Sequence, residues 1–263
     1  MLICPNMDKQ KNISLAVAVI LILGIGYFIY KDLGSSGPGT MATTTLDGSG
    51  IVSDDNPSVS GELPNPDAVV PNLDRKFVIP DTFSKEIIQN TMVQYNGIIT
   101  SLKADPTLRN EWLQLAILRK AVEDYKGAEE IWLYVILKWP LDHVAFGNLG
   151  NLYLDFLVDN NKAEEYLLQA IEKSPVTLQY TENLYNLYMH RQKNPEKAIS
   201  LLSTMRQNFL EQVYFPLKMA EHYRDTGDVK NAKQFFEVSR DLAKTQQQQN
   251  VIDYAETELA KLK

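Results

Sequence analysis

Residues 110–140 read "NEWLQLAILRKAVEDYKGAEEIWLYVILKWP" and contain all three tryptophans of the 263-residue chain. Apolar side chains recur in this stretch at the three- and four-residue spacing of an amphipathic helix, and a proline ends it. The tryptophans either line a binding pocket or fill the core between two helices. The rest of the sequence favours one of these two interpretations.

The pattern of this stretch returns 34 residues further on. Its marked positions are Trp112, Leu115, Ala116, Ala128, Trp132 and Pro140 in the first copy, and Phe146, Leu149, Gly150, Tyr153, Ala163, Leu167, Ala170 and Pro175 in the second. Two more degenerate copies contain Tyr180, Leu184, Leu187, Ala198 and Leu202, and then Met219, Ala220, Tyr223, Gly227, Ala232 and Phe236. A fixed period of this length indicates an array of helix pairs.

The motif W-x2-L-[GA], followed by A-x3-aromatic and a closing proline, resembles the tetratricopeptide repeat, and the resemblance covers about residues 107–243. It implies an all-α solenoid in residues 81–263, with repeats at about 109–142, 143–176, 177–212 and 213–246 and capping helices at 83–104 and 247–262. The chain departs from the family pattern in three ways. Arg119 replaces an aromatic residue, the third unit has two extra residues before its second helix, and the last two units lack the proline.

Hydrophobic periodicity and capping residues predict ten helices in this region. Their expected bounds are 83–104, 107–122, 125–138, 141–157, 160–173, 176–191, 195–210, 214–226, 228–243 and 247–262. In the tetratricopeptide family, the positions of Trp112 and Trp132 lie where the two helices of a pair meet. We therefore expect both rings in the core, and Trp139 at the junction with the next repeat.

Residues 13–30 form an uncharged apolar run, long enough for a helix of about 27 Å. We expect an uncleaved membrane anchor rather than a secretory signal, because no small-residue cleavage site follows the run. Lys9 and Lys11 favour a cytoplasmic location for residues 1–12 and an extracytoplasmic location for the repeat domain. Residues 31–80, rich in Gly, Ser, Pro and Asp, read as a flexible linker. The exception is a set of apolar residues that could dock on the domain: Val69, Val70, Phe77, Val78 and Ile79.

No catalytic, cofactor or metal motif is present in the sequence. Cys4 is the single cysteine, and the three histidines have no metal-site spacing. The phosphate-binding loops and nucleophile elbows of common enzyme families are missing. The net charge of −7 argues against nucleic-acid binding. We therefore predict a non-enzymatic protein without cofactor or metal.

The resemblance implies a concave groove, lined by the first helix of each pair, that binds a peptide or partner helix. Within it we predict a partner-binding surface of Asn148, Asn151, Asp155, Tyr185, Tyr188 and Glu221. Its acidic residues favour a basic or neutral polar partner. Two alternatives stay open: the tyrosines pack against neighbouring helices, or the stack is a structural spacer or oligomerisation module. A terminal-carboxylate clamp is not supported, because the corresponding positions are Leu113, Ile117, Leu178 and Glu182.

The order of anchor, linker and repeat stack also looks like that of bacterial envelope scaffold proteins. Such proteins assist the assembly, secretion or maturation of other envelope proteins. The sequence favours none of these pathways over the others.

Overall fold

The structure is a computed structural model that describes residues 69–262, and this part of the chain is helical. The α-helices are α1 (Lys85–Ala104), α2 (Arg109–Ala121), α3 (Tyr125–Lys138), α4 (His143–Asp155), α5 (Asn160–Lys173), α6 (Leu178–Asn186), α7 (Pro195–Asn208), α8 (Tyr214–Asp225), α9 (Val229–Thr245) and α10 (Gln249–Lys261). A π-helical turn, Leu187–Arg191, continues α6. The predicted all-α architecture is confirmed for the described residues.

Successive helices pack on each other in four pairs, α2 with α3, α4 with α5, α6 with α7, and α8 with α9. We call α2, α4, α6 and α8 the first helices, and α3, α5, α7 and α9 the second helices. Helix α1 packs on α2, and α10 packs on α9. Most of the apolar core is one continuous cluster that runs through the pairs from Tyr95 to Met219.

The same tight turn joins the two helices of every pair. Each turn contains one residue with positive φ, and these residues are Glu123, Val158, Lys193 and Gly227. The next residue caps the second helix through its side chain, and these caps are Asp124, Asp159, Asn194 and Asp228. A side-chain oxygen at this place accepts hydrogen bonds from backbone amides that have no partner inside the helix.

Helix α2 starts differently from the prediction. Asp105 accepts a hydrogen bond from the backbone N of Thr107 at 2.9 Å, and the helix begins only at Arg109. Asp105 therefore organises the turn before α2 and does not cap the helix itself.

Each second helix carries a fully buried alanine four residues after its cap. These alanines are Ala128, Ala163, Ala198 and Ala232, all with 0% exposure. On the facing first helix of the second pair, a Cβ added to Gly150 would lie 2.6 Å from Leu167 Cγ. The backbones approach so closely at these points that only small side chains fit.

Trp112 and Trp132 are both fully buried, which confirms that they belong to the core. The indole Nε1 of Trp112 donates to the carbonyl oxygen of Pro106 at 3.0 Å, and its ring meets the ring of Tyr134 edge to face at 4.9 Å. Trp139 is partly buried and approaches the ring of Tyr134 at 6.4 Å. These tryptophan contacts therefore lie within the first helix pair and at its two ends.

The sixth predicted helix, 176–191, is not a regular α-helix along its whole length. It changes to the π-helical turn after Asn186, and the backbone N of Gln192 donates to the carbonyl oxygen of Leu187 at 2.9 Å. A π-helical turn accommodates an extra residue within an otherwise regular helix. The long spacing noted in the third repeat is thus partly absorbed inside its first helix.

The segment before α1 packs against the first helix pair. The ring of Phe77 stacks on the ring of Tyr95 at 4.0 Å, while Val69, Val70 and Val78 are exposed. Arg75 forms a bidentate ion pair with Asp124, at 2.9 and 3.0 Å. The predicted exception therefore holds for Phe77, and the packed domain begins before residue 81.

Arg119 explains why this segment docks. Its guanidinium is 1% exposed and donates to Asp124 at 2.7 Å and to the carbonyl oxygen of Arg75 at 3.2 Å. The family pattern has an aromatic residue at this position, which could not make these two bonds. The departure from the motif thus provides a binding site for the preceding chain.

Helix α10 ends the stack with a polar outer face. Its exposed residues include Gln249, Asn250, Asp253, Glu256, Thr257 and Lys261. On the inner face, Arg224 of α8 donates to Glu258 at 2.8 Å and to the hydroxyl of Tyr254 at 3.1 Å. A polar outer face of this kind is typical of helices that cap a repeat stack.

None of the helices in residues 69–262 is long and apolar enough to cross a bilayer. The predicted anchor, 13–30, the segment 1–12 and the linker up to residue 68 lie outside the described residues.

Replacing Trp132 with alanine should lower the free energy of unfolding by about 3 to 5 kcal/mol, because a large buried ring would leave a cavity. Chemical denaturation of the full chain measures this change. Leu141, which is 84% exposed, provides the matched control, and Leu141→Ala should change stability by no more than about 0.5 kcal/mol. Equal stability of both variants would contradict the core assignment of Trp132.

His222 should make stability depend on pH. Its side chain is buried on α8 with Nδ1 at 3.0 Å from the hydroxyl of Tyr185, and this burial lowers the pKa of His222 although Asp225 opposes the shift. The unfolded chain, with an ordinary pKa of about 6.5, binds the proton first as pH falls. Stability should therefore be complete above about pH 6.5 and decrease below it.

His222→Asn keeps an acceptor for the Tyr185 hydroxyl and should flatten the pH dependence of the melting temperature between about pH 5 and 6.5. His190→Asn changes an exposed histidine and should keep the slope, since His222 is intact. An unchanged slope in His222→Asn would assign the effect to another group.

Candidate functional site

A polar cleft of about 360 Å³ lies between α4 and the helix formed by α6 and its π-helical turn. We call it the α4–α6 cleft. Its lining residues are Leu154, Asp155, Asn183, Asn186, His190 and Arg191. Four of the six come from the first helix of the third repeat, at and before the π-helical turn. The irregular part of the stack therefore supplies most of the cleft wall.

Asparagines recur on the facing helices at the same repeat position. Asn148 and Asn151 of α4 stand in "NLGN", and 35 residues later Asn183 and Asn186 of α6 stand in "NLYN". A spacing of three residues places both members of each pair on one helix face. The Nδ2 of Asn183 donates to Oδ1 of Asn151 at 2.5 Å, so the two helices are joined within this row.

The amide of Asn183 is held from two sides. Its Oδ1 accepts a hydrogen bond from Nε2 of Gln179 at 2.8 Å, while its Nδ2 reaches Asn151. An amide has two donor hydrogens and two acceptor lone pairs, and these bonds use only part of that capacity. The row can therefore both donate to and accept from a peptide backbone.

Asp155 lies at the rim of this cleft, at the end of α4. Burial raises the pKa of its carboxyl group, and the positive charges of Arg191 and Lys120 oppose the shift. Lys120 is itself shielded, since its ammonium lies 5.9 Å from the ring centres of Trp132 and Phe156. Burial lowers the pKa of Lys120, and Asp155 counteracts it.

Tyr185 and Tyr188 are buried side chains, with exposures of 7% and 4%. The Tyr185 hydroxyl contacts His222 of α8, and burial raises the pKa of Tyr185 to about 12. The Tyr188 hydroxyl donates to Glu164 of α5 at 3.0 Å. Both rings therefore pack against neighbouring helices, as the alternative interpretation of the sequence expected. The accessible part of the predicted surface consists of its polar residues.

The contacts of Tyr188 repeat those of Tyr153. Tyr153 donates to Glu129 and lies under the ammonium of Lys162 at 4.9 Å. Thirty-five residues later, Tyr188 donates to Glu164 and lies under Lys197 at 4.9 Å. Each trio joins a first helix to the second helix of the preceding repeat, so its role is to hold adjacent repeats together.

Glu221 is occupied at the end of the stack. One oxygen accepts from the Tyr254 hydroxyl at 2.9 Å and the other lies 3.3 Å from Lys218. Together with the two cations near Asp155, these contacts offset the carboxylates that the sequence suggested as an acidic surface. The expectation of a basic or neutral polar partner stays a prediction, since these contacts reduce the acidic charge of the groove but do not test what binds there.

Sequence reasoning missed Asn183, Asn186, His190 and Arg191. The recurrence of N-L-x-N at 35 residues was a usable signal for the two asparagines. His190 and Arg191 gave no such signal, because their position depends on the π-helical turn. Within residues 69–262, no group of three or more His, Cys, Asp or Glu side chains is arranged to hold a metal ion.

No protein-family model and no curated protein matches the sequence. Solved structures with a similar arrangement of helices include MamA, with 17% identity, a TM-score of 0.47 and coverage of 65% of this chain and 99% of MamA. PilF of Pseudomonas aeruginosa has 18% identity, a TM-score of 0.47 and coverage of 67% and 86%. Tom70 of yeast has 20% identity and a TM-score of 0.49, with coverage of 65% of this chain and 37% of Tom70.

YrrB, described as a tetratricopeptide-repeat protein with an unusual peptide-binding site, has 12% identity, a TM-score of 0.43 and coverage of 55% and 74%. The fold assignment of this chain comes from its own architecture. Four helix pairs recur at 34 to 35 residues with the same turn, the same cap and the same buried alanine at Ala128, Ala163, Ala198 and Ala232. By fold, the described residues therefore form a stack of helix pairs of the tetratricopeptide-repeat type.

Proposed function

We propose that this chain is a protein-interaction scaffold, without enzymatic activity, that binds an extended segment of a partner protein along its first helices. The observation that carries the proposal is the row of Asn148, Asn151, Asn183 and Asn186 beside the open α4–α6 cleft. Extended peptides present backbone N–H and C=O groups at regular intervals. Asparagine amides match both kinds of group irrespective of the peptide sequence.

Further support comes from how firmly the row is positioned. The buried tyrosines and their hydrogen bonds fix α6 against α5 and α8, so the asparagines project from a rigid scaffold. A preorganised surface loses less conformational entropy on binding. The predicted site thus becomes Asn148, Asn151 and Asp155 with their neighbours on α6, supported from behind by Tyr185 and Tyr188.

We expect the full chain to select peptides from a library of random nonapeptides. In the double variant Asn151→Ala/Asn186→Ala, a selected peptide should bind about 30-fold more weakly, because two hydrogen bonds of about 1 kcal/mol each are lost. Melting temperature should stay close to that of the parent. Tyr185→Ala should instead lower the melting temperature, since its ring is buried.

The matched control is Asn161→Ala/Asn250→Ala, which changes two exposed asparagines on α5 and α10 and should leave peptide binding intact. If the parent chain selected no peptide, the chain would be a structural spacer or oligomerisation module and the proposal would be wrong.

The proposal also places the scaffold at a membrane, with residues 13–30 as an uncleaved anchor, residues 1–12 in the cytoplasm and the repeats outside it. The uncharged run of residues 13–30 supports this part. A role in the assembly, secretion or maturation of envelope proteins is consistent with such a location.

Alkaline carbonate extraction of membranes tests the anchor, and full-length protein should remain in the pellet. Release into the supernatant, or a mature amino terminus after Tyr30, would contradict it. Neither result bears on peptide binding by the repeats.

A further inference from the structure

Arg191 differs from the other arginines in the part of the chain that the structure describes. Five of them form ion pairs and a sixth lies over an aromatic ring: Arg75, Arg109 and Arg119, then Arg224 and Arg240, and Arg206 at 5.5 Å from the ring centre of Phe235. Within residues 69–262, the side chain of Arg191 forms neither an ion pair within 4.0 Å nor a hydrogen bond. Its five N–H donors are therefore available to a ligand.

The backbone places this free guanidinium beside the α4–α6 cleft. Arg191 is the last residue of the π-helical turn, and both it and His190 line the cleft. Turns of this kind occur frequently at functional sites, because they shift side chains out of regular helical register. The extra residue in the third repeat thus moves a charged group to a position that the regular repeat would not give it.

One carboxylate and one guanidinium line this cleft, and a lysine lies close to the carboxylate. Asp155 is the carboxylate at the rim, and both Lys120 and Arg191 act on it electrostatically. Within the described residues, neither cation is within 4.0 Å of a carboxylate oxygen. Lys120 lies between two aromatic rings, so Arg191 is the more accessible of the two cations.

We propose that the α4–α6 cleft binds a carboxylate group of the partner segment, with Arg191 as its anchor and the Asn186 amide as a second donor. The guanidinium presents parallel N–H groups that match the two oxygens of a carboxylate. This inference rests on the proposed function, because the asparagine row would hold the backbone while Arg191 selects one acidic group. The site differs from the terminal-carboxylate clamp of related repeat proteins, whose positions here are Leu113, Ile117, Leu178 and Glu182.

The carboxylate has two sources, an acidic side chain within the segment or the carboxyl terminus of the partner. Two libraries of random nonapeptides distinguish them, one with free and one with amidated carboxyl termini. The full chain in detergent is immobilised, and bound peptides are sequenced. We expect enrichment of Asp or Glu at one position of the amidated library if a side chain is recognised, and binding from the free-terminus library alone if the terminus is recognised.

Charge reversal at the anchor provides the decisive comparison. Arg191→Gln should weaken binding of a selected acidic peptide about 10- to 100-fold, the range expected for a lost charge-assisted hydrogen bond. Arg191→Glu should replace the acidic preference with Lys or Arg at the same position. Lys230→Glu, the same charge change at an exposed residue of the second helix α9, should leave the preference unchanged, and all three variants should melt like the parent.

Three outcomes would overturn the inference. If the parent chain selects peptides from both libraries without any acidic preference, the carboxylate site is wrong while the scaffold function stands. The same conclusion follows if the acidic preference survives in Arg191→Glu. If neither library yields a bound peptide, the scaffold function and the carboxylate site are both wrong.

Discussion

The whole stack depends on the close approach of two helices at one small residue. Ala128, Ala163, Ala198 and Ala232 each follow a capping residue by four positions, and each is completely buried. The cap fixes where the second helix starts, and the alanine then fixes how near it lies to the first helix. Because both are set by the same short motif, the second helix of every pair starts in the same way and carries its small residue at the same place. Neighbouring pairs can therefore bury one continuous core.

The third repeat satisfies this constraint on only one of its helices. Ala198 is retained, but Tyr185 stands 35 residues after Gly150, which contacts Leu167 closely in the second pair. A large ring at this position cannot allow the same approach, and its hydroxyl instead contacts His222 in the next pair. The same first helix ends in the π-helical turn that lines the α4–α6 cleft. The cleft thus occurs where the repeat is least regular, and regular neighbours on both sides keep it in place.

Much of the fold could be predicted from the sequence because it depends on local signals. The starts predicted at residues 195 and 228 agree within one residue with the observed helices, which begin at Pro195 and Val229 after the caps Asn194 and Asp228. The resemblance to the tetratricopeptide repeat implied the core positions of Trp112 and Trp132, and the structure confirms them. These features need only a few neighbouring residues, so a linear pattern contains them.

The candidate site was less predictable because it depends on residues distant in sequence. Burial of Tyr188 is decided by Glu164 and Lys197 on other helices, and the charge near Asp155 by Lys120 and Arg191. The pattern of polar and apolar residues along one helix does not reveal these contacts with other helices. Docking of Phe77 and Arg75 likewise depends on a distant residue. The buried Arg119, which replaces the aromatic residue of the family pattern, donates to the carbonyl oxygen of Arg75.

The docked segment before α1 also determines how the domain would respond to mechanical load. A pull on the chain from residue 69 reaches the ion pair of Asp74 with Lys103 of α1 and then the bidentate contact between Arg75 and Asp124. Asp124 also caps α3 and binds Arg119, so the load passes into the first helix pair at its turn. The force is thereby shared between α1 and the first helix pair. The repeats beyond the first pair, including the cleft, would be shielded from tension in the preceding chain.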